Sequence, residues 1–537
     1  SREHKVKKGK VFLLFLIAAL SLIVFGVLFA EAGQKVLRVS YPVDPKTADC
    51  QRTTECYTLP LNVFDRLVEA VTVSPGKSEL VPGLAERWDI SEDGKTYTFH
   101  LRKGVLFHNG QELTAGDVVY TFDRMLDPKT KALNTDILGF VEGAGERLEG
   151  KADETKGLEA IDKYTVRITL REPYAPFIAV MASPQASIFN RKFTKPQGDQ
   201  FGLTPKTTCG TGPFILKKYV LNDYQILIAN KNYFMGRPKL DKVFIRVVTD
   251  PETLRILFEA DELDVFDCDY AISQLEYFYN NEKWKDRIRS GPRVGIFYYS
   301  INQKIKPFDD VQVRKAFQMA INRQIILDKM FYGRGKLEDG VMPRGLICFN
   351  SDKEPIEYNP AGAKALLAEA GHSDGIHMTL VQVSGWQPKF FDINEVVQAM
   401  AKEAGFHIRI EQMDQAAYYA TRKQGKVASY LQSWSADFND PDNFFYTFFA
   451  EQGTVVRSFN NNNPKVFEAL NRARKLHDPS ERCNIYRELE KVIVHEDAAW
   501  VPLFSLAHTY VVQPRVRNFM VPWNGWSDMP YYRVDMD

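Results

Sequence analysis

Residues 81–124 read VPGLAERWDISEDGKTYTFHLRKGVLFHNGQELTAGDVVYTFDR. Within this stretch Thr96 to Leu101 alternate. Tyr97, Phe99 and Leu101 fall on one face and Thr96, Thr98 and His100 on the other, the period of a half-buried strand. Asp93-Gly94 just upstream is a hairpin turn signal, because glycine supplies the positive φ that a tight turn needs. It pairs this strand with Arg87 to Ile90.

Outward from the hairpin, strand-like and helical patterns alternate, which is α/β logic. Val36 to Tyr41 (VLRVSY) is a short β-type run. Asp309 or Asp310 caps a helix expected over about 311–330, with apolar positions 313, 317, 320, 321 and 325 at helical spacing. Asn359-Pro360 opens another helix, closed by Gly371. A third runs from about Asn394 to Ala404 and feeds a strand at His407 to Ile410. Ser290-Gly291-Pro292 interrupts the chain before the β-type run Val294 to Ile301, and Thr509 to Val512 is a second extended run near the far end. Two such segments suit crossings between two lobes, a hinge arrangement.

The 537 residues exceed one typical domain. Hydrophobic residues make up 45% and charged residues 26%, which excludes wholesale disorder. Lys plus Arg (69) against Asp plus Glu (68) lacks the basic excess of a phosphate-neutralising nucleic-acid binder. That balance hides an asymmetry. Arg2, Lys5, Lys7, Lys8 and Lys10 precede an apolar run from Val11 to Ala30, then Ala30-Glu31-Ala32. This reads as an export signal cleaved after Ala32, or as an N-terminal anchor that stays attached. Without it the body carries a net charge of −2. Export places the six cysteines where disulfides persist, and the near pair Cys50 and Cys56 is the favoured local clamp.

Enzyme signatures fail on inspection. There is no GxxxxGK[ST] loop, and His495-Glu496 lacks the second histidine of a zinc protease. Gly371-His372-Ser373-Asp374-Gly375 fits GxSxG, but that chemistry needs a turn from strand into helix, and here a helix ends and a strand follows. No metal or cofactor site emerges.

Four ordered segments together resemble the family 5 extracellular solute-binding proteins, the dipeptide- and oligopeptide-binding components of ABC importers. They are residues 81–124, the turn Gly210-Thr211-Gly212-Pro213-Phe214, the run Asp310-Val311 through Asn322, and Trp434-Ser435-Ala436-Asp437-Phe438-Asn439-Asp440-Pro441. The resemblance covers 36–537. It implies an α/β, two-lobed periplasmic-binding-protein fold (type II, cluster C) with an extra subdomain in lobe I. Lobe I would comprise 33–82, 206–290 and 509–537, the subdomain 83–205, and lobe II 291–508. Such a protein is a monomer that closes on a small peptide and delivers it to permease subunits in the membrane, without catalysis.

By the same resemblance Asp437 is the clamp for a peptide α-ammonium, since a carboxylate in a water-poor cleft bonds strongly to a cationic amine. Trp434 and Trp386 are candidate apolar walls, Thr53, Thr54 and Tyr57 further pocket candidates, and His108 a packing residue. Dipeptide binders of the family place an arginine after the strand corresponding to Ile376–Val383. Here the stretch SGWQPKFFDINE offers only Lys389, which cannot form arginine's planar fork. That departure favours longer peptides or a different solute, such as a metal chelate, haem, a sugar or an opine-like compound.

Overall fold

The computed structural model describes residues 33–54, 56–385, 388–525 and 528–537. The leader and Trp386 lie outside them. Val36–Tyr41 buries Leu37, Val39 and Tyr41 and pairs in parallel with Lys242–Val247. Tyr224–Ala229 and Phe214–Val220 complete this four-stranded sheet, which has its own apolar core. A second, eight-stranded sheet is apolar on both faces and carries two further clusters. Two lobes result.

One long strand, Trp500–Val512, ties them together. Its first half pairs with Gly295–Ile301 of the larger sheet, and its second half with Ile288–Pro292 and Val265–Asp267. Of the two extended runs singled out in the sequence, Val294–Ile301 pairs with the first half of this strand, whereas Thr509–Val512 is its last part and pairs with 288–290 and 265–267, so the two runs do not pair with each other.

The opening stretch folds as its alternation dictates. Ala85–Ile90 pairs with Thr96–Leu101, the turn closes at Gly94 (φ 68°), and Tyr97 and Phe99 are fully buried. Thr165–Thr169 and Leu158–Asp162 extend this into a separate four-stranded antiparallel sheet. Helix Ala115–Leu126 packs on it, opened by a capping box between Thr114 and Asp117. In the 210–214 turn, glycine is required by close approach. A Cβ on Gly210 would stand 2.0 Å from the Val63 carbonyl oxygen, and one on Gly212 would stand 2.5 Å from the Val63 carbonyl carbon. His108 locks the same turn: its Nδ1 accepts from the Gly210 N–H at 3.3 Å, and its Nε2 lies 3.0 Å from the Gly212 carbonyl. Burial lowers this imidazole to about 4, so it stays neutral and architectural.

Two expectations need correction. The helix expected over 311–330 is two helices, Val311–Met319 and Arg323–Phe331. Asn322 breaks it, because its side chain accepts from the Ile325 N–H at 3.0 Å and caps the second helix. Ile325, counted with the apolar face, is instead 48% exposed. The disulfide is Cys348–Cys483, with Cα atoms 4.9 Å apart and a sequence separation of 135, and Cys50 and Cys56 are not joined. Cys50 points into the core and donates to the Gln185 carbonyl at 3.6 Å, whereas Cys56 borders an open cavity. Gly371–Gly375 runs from helix Pro360–Glu369 into strand Ile376–Val383, so no nucleophile turn forms there.

Candidate functional site

The strand Ser429–Ser435 sits inside the large sheet, and the chain leaves it through Ala436 and Asp437 before helix Asp442–Phe449 begins. Asn443, in that helix's first turn, organises the loop. Its Oδ1 accepts from the Asp437 N–H at 3.0 Å, its Nδ2 donates to Asp437 Oδ2 at 3.1 Å, and its carbonyl accepts from Trp434 Nε1 at 3.1 Å. Trp434 and Asp437 are thus fixed by one amide.

The acids that follow serve the fold. Asp440 holds Arg482 through two bonds of 2.8 Å, and Asp442 holds Arg474 through two of 2.9 Å. Asp437 differs, having one neutral amide and, among the described residues, no cation within bonding distance. Burial is the main reason its carboxyl is pushed up to about 6, the Asn443 bond opposes this, and Asp136 adds to it. Arg457 pulls weakly the other way. The Asp136 carboxyl, on the 135–138 turn across the cleft, is likewise raised by burial.

Asp437 lines a 60 Å³ cavity between the lobes. Arg66 and Glu69, Ser183 and Pro184, and Trp523 and Asn524 form its other walls. A separate 310 Å³ cavity is lined by Thr54, Cys56, Tyr57, Tyr41, Tyr270, Arg293 and Asp528. Tyr57 links the two regions: it lines the larger cavity and feels the Asp437 charge. Its hydroxyl donates to the Thr53 carbonyl at 3.3 Å and accepts from Gln185 Nε2 at 3.0 Å. Thr53 offers that carbonyl to Asn134 as well, at 2.8 Å. Asp437 thus lines the smaller cavity, with Trp434 held beside it through Asn443, and Tyr57 and Thr54 line the larger one. Thr53 acts there through its backbone.

Lys389 is committed elsewhere. Its ammonium donates to the Met330 carbonyl and lies 4.9 Å from the centre of the Phe331 ring. A cation that sequence reasoning missed stands nearer. Arg457, just past helix Glu451–Val456, places its guanidinium 4.6 Å over the Trp434 ring. It is twenty positions from Asp437 on another element, and no motif marks it. Asn443, by contrast, lies in the run that continues the Trp434–Pro441 segment.

The lobes meet around this cleft. Arg474 sits 4.6 Å from the Phe140 ring and 4.9 Å from the Tyr174 ring, and Tyr174 donates to Asp442 at 3.3 Å. Asn439 reaches Ser78 Oγ at 2.9 Å.

The model of the bacterial extracellular solute-binding proteins, family 5, matches residues 79–455. The chain belongs to this family. A family member from Pseudomonas aeruginosa, di/tripeptide-binding protein 4, is 32% identical, the match covering 91% of this chain and 94% of that protein. Heme-binding protein A of Haemophilus influenzae is 29% identical, with 88% and 87% covered. Among solved structures, the ABC transporter-associated periplasmic binding protein DppA from Helicobacter pylori, in complex with the peptide STSA, superposes with a TM-score of 0.74 at 27% identity, covering 93% of this chain and 98% of that one. The two-lobed α/β architecture is the family's.

Proposed function

We propose that this chain is the substrate-binding component of an ABC transporter, which captures extracytoplasmic peptides by closure of two lobes and delivers them to membrane permease subunits. Asp437 carries the reading. A carboxylate that burial raises to about 6 and that faces an interlobe cavity has, among the described residues, the Asn443 amide as its side-chain partner and no cation bonded to it. A peptide α-ammonium supplies one, and the charge-assisted bond offsets the desolvation. The peptide held by the Helicobacter pylori relative and the di/tripeptide name of the Pseudomonas aeruginosa relative point the same way.

In this reading the ribbon of 288–301 against 500–512 is the hinge, the sheet unit within 83–205 is a subdomain of lobe I, and the leader directs a monomeric, non-catalytic protein to the periplasm. A ligand touching both lobes favours the closed state by its differential affinity for it. Calorimetry on Asp437→Ala tests the assignment. Free-amine peptides should weaken by roughly 10–100-fold and N-acetylated ones by little; equal losses would remove Asp437 from the site.

A further inference from the structure

Away from the cleft, a cavity of 220 Å³ is walled by Arg287, Arg289 and Arg517, and no acidic residue belongs to its lining. Val512, Val516 and Phe519 give it apolar sides, and Phe519 packs on Tyr510 with ring centres 5.2 Å apart. Like charges gathered against apolar walls repel more strongly than on an open surface, because the low-dielectric side screens them less. The protein body carries a net charge of −2, so this cluster runs against the average. Arg515, two positions before Arg517, shows how such a charge is met elsewhere: it holds Asp261 and Asp264. Arg517 is met along one edge, its Nε and Nη2 donating to Asp537 at 2.9 and 2.5 Å. Arg289 has backbone partners, its Nη1 donating to the carbonyls of Asp286 at 3.2 Å and Ile288 at 3.0 Å. Arg287 is half-buried at the end of the turn Lys285–Arg287, with its backbone N–H fixed on the Trp284 carbonyl at 2.8 Å. Among the described residues no acceptor meets its guanidinium.

We propose that this cavity is a second binding site, for a phosphate group carried as the free ion, a soluble ester or a lipid headgroup. The number of acceptor oxygens selects this class. One carboxylate is used up by one arginine fork, as Asp537 is by Arg517, whereas a phosphate group offers about three acceptor oxygens and can bridge several guanidiniums. The 220 Å³ is several times the ~30 Å³ that a water occupies in the liquid, room for a phosphate and part of what carries it. Arg287 and Arg289 lead into the strand Ile288–Pro292, and Arg517 follows the end of Trp500–Val512, with which that strand pairs. A bound phosphate therefore ties together two chain segments at the root of the ribbon. The site shares no lining residue with the cavities at Asp437 and Tyr57, and it does not depend on the peptide reading.

Calorimetry and thermal shift on the wild-type protein test the assignment with sodium phosphate, sodium acetate and sodium chloride at matched, low ionic strength, where screening is weak. Phosphate should bind with a Kd of about 1 mM or tighter and raise the Tm, with acetate at least about tenfold weaker. Arg287→Gln should weaken phosphate about tenfold or more, and Arg287→Lys, which keeps the charge and loses the fork, should fall between the two. Two further arms identify the source: glycerol phosphate in the same titration, and flotation with phosphatidylcholine vesicles with and without phosphatidic acid. Capture by the acidic vesicles that Arg287→Gln abolishes supports the site as one for a lipid headgroup. Binding of phosphate or its glycerol ester without vesicle capture supports it as one for a soluble ligand. Acetate binding as tightly as phosphate overturns the proposal. So does phosphate binding or vesicle capture that is unchanged in Arg287→Gln, or a wild-type protein that responds to none of the phosphate probes. The wild-type comparison of phosphate with acetate does not depend on the variants folding, and none of these outcomes bears on Asp437.

Discussion

Lowering the pH should release the cargo, through Asp437. The free protein holds this carboxyl at about 6, chiefly by burial. At pH 7 such a group is about 91% ionised and at pH 5 about 9%, while a peptide α-amino group with a pKa of about 7.7 is mostly protonated at both. The product of the two competent fractions falls about eightfold between pH 7 and pH 5. Above pH 8 affinity falls again as the amine loses its proton, so the profile is a bell with its maximum near 7. Three groups around Asp437 modulate the acid limb. The Asn443 amide lowers its pKa, Asp136 raises it, and Arg457 lowers it. Titration calorimetry in buffers of different ionisation enthalpy reads both affinity and protons. At pH 5, binding should expel about 0.9 proton per peptide. Asp437→Asn should bind more weakly with no acid limb. A wild-type affinity that stays flat from pH 7 to pH 5, or the same slope in Asp437→Asn, would refute the reasoning.

Three further outcomes follow from the same geometry. Because the folded protein holds the Asp437 proton more tightly than the unfolded chain, this group costs stability as the pH rises from about 4 to above 6; Asp437→Asn should therefore raise the Tm of the unliganded protein by ~1–3 °C at pH 7.5 and lose that advantage at pH 4. Cys348→Ser with Cys483→Ser opens a loop of 135 residues and should cost about 3–5 kcal/mol in denaturant unfolding, whereas Cys50→Ser, which only loses a weak bond to Gln185, should cost far less. Gly210→Ala forces a methyl group against the Val63 carbonyl and should cost more than about 3 kcal/mol or prevent folding, measured as soluble yield and unfolding midpoint.

Where local chemistry decides the outcome, the sequence is a good guide. The alternation of Thr96–Leu101 and the Asp93-Gly94 turn define the hairpin, and Asn359 with Pro360 marks a helix start that the structure reproduces, with Asn359 accepting from the Gly362 N–H at 2.8 Å. The break at Asn322 shows the limit of periodicity. Apolar spacing continues through it, but an amide that can cap a new helix overrides the pattern. Disulfide pairing is invisible for a different reason. Proximity in sequence favours Cys50 and Cys56, but the bond that forms joins residues far apart in sequence that only tertiary packing brings together. The site divides in the same way. Asp437 and Trp434 belong to one recognisable segment, whereas Arg457 reaches Trp434 through tertiary packing and leaves no mark on the spacing of residues.

Native mass spectrometry of the freshly purified protein, followed by denaturation and sequencing of what is released, tests the central claim most directly. The account predicts a bound species that resolves into peptides with free amino termini, and that is absent from Asp437→Ala prepared in parallel. A released metal chelate, haem or sugar, or an unchanged bound mass in Asp437→Ala, would contradict it.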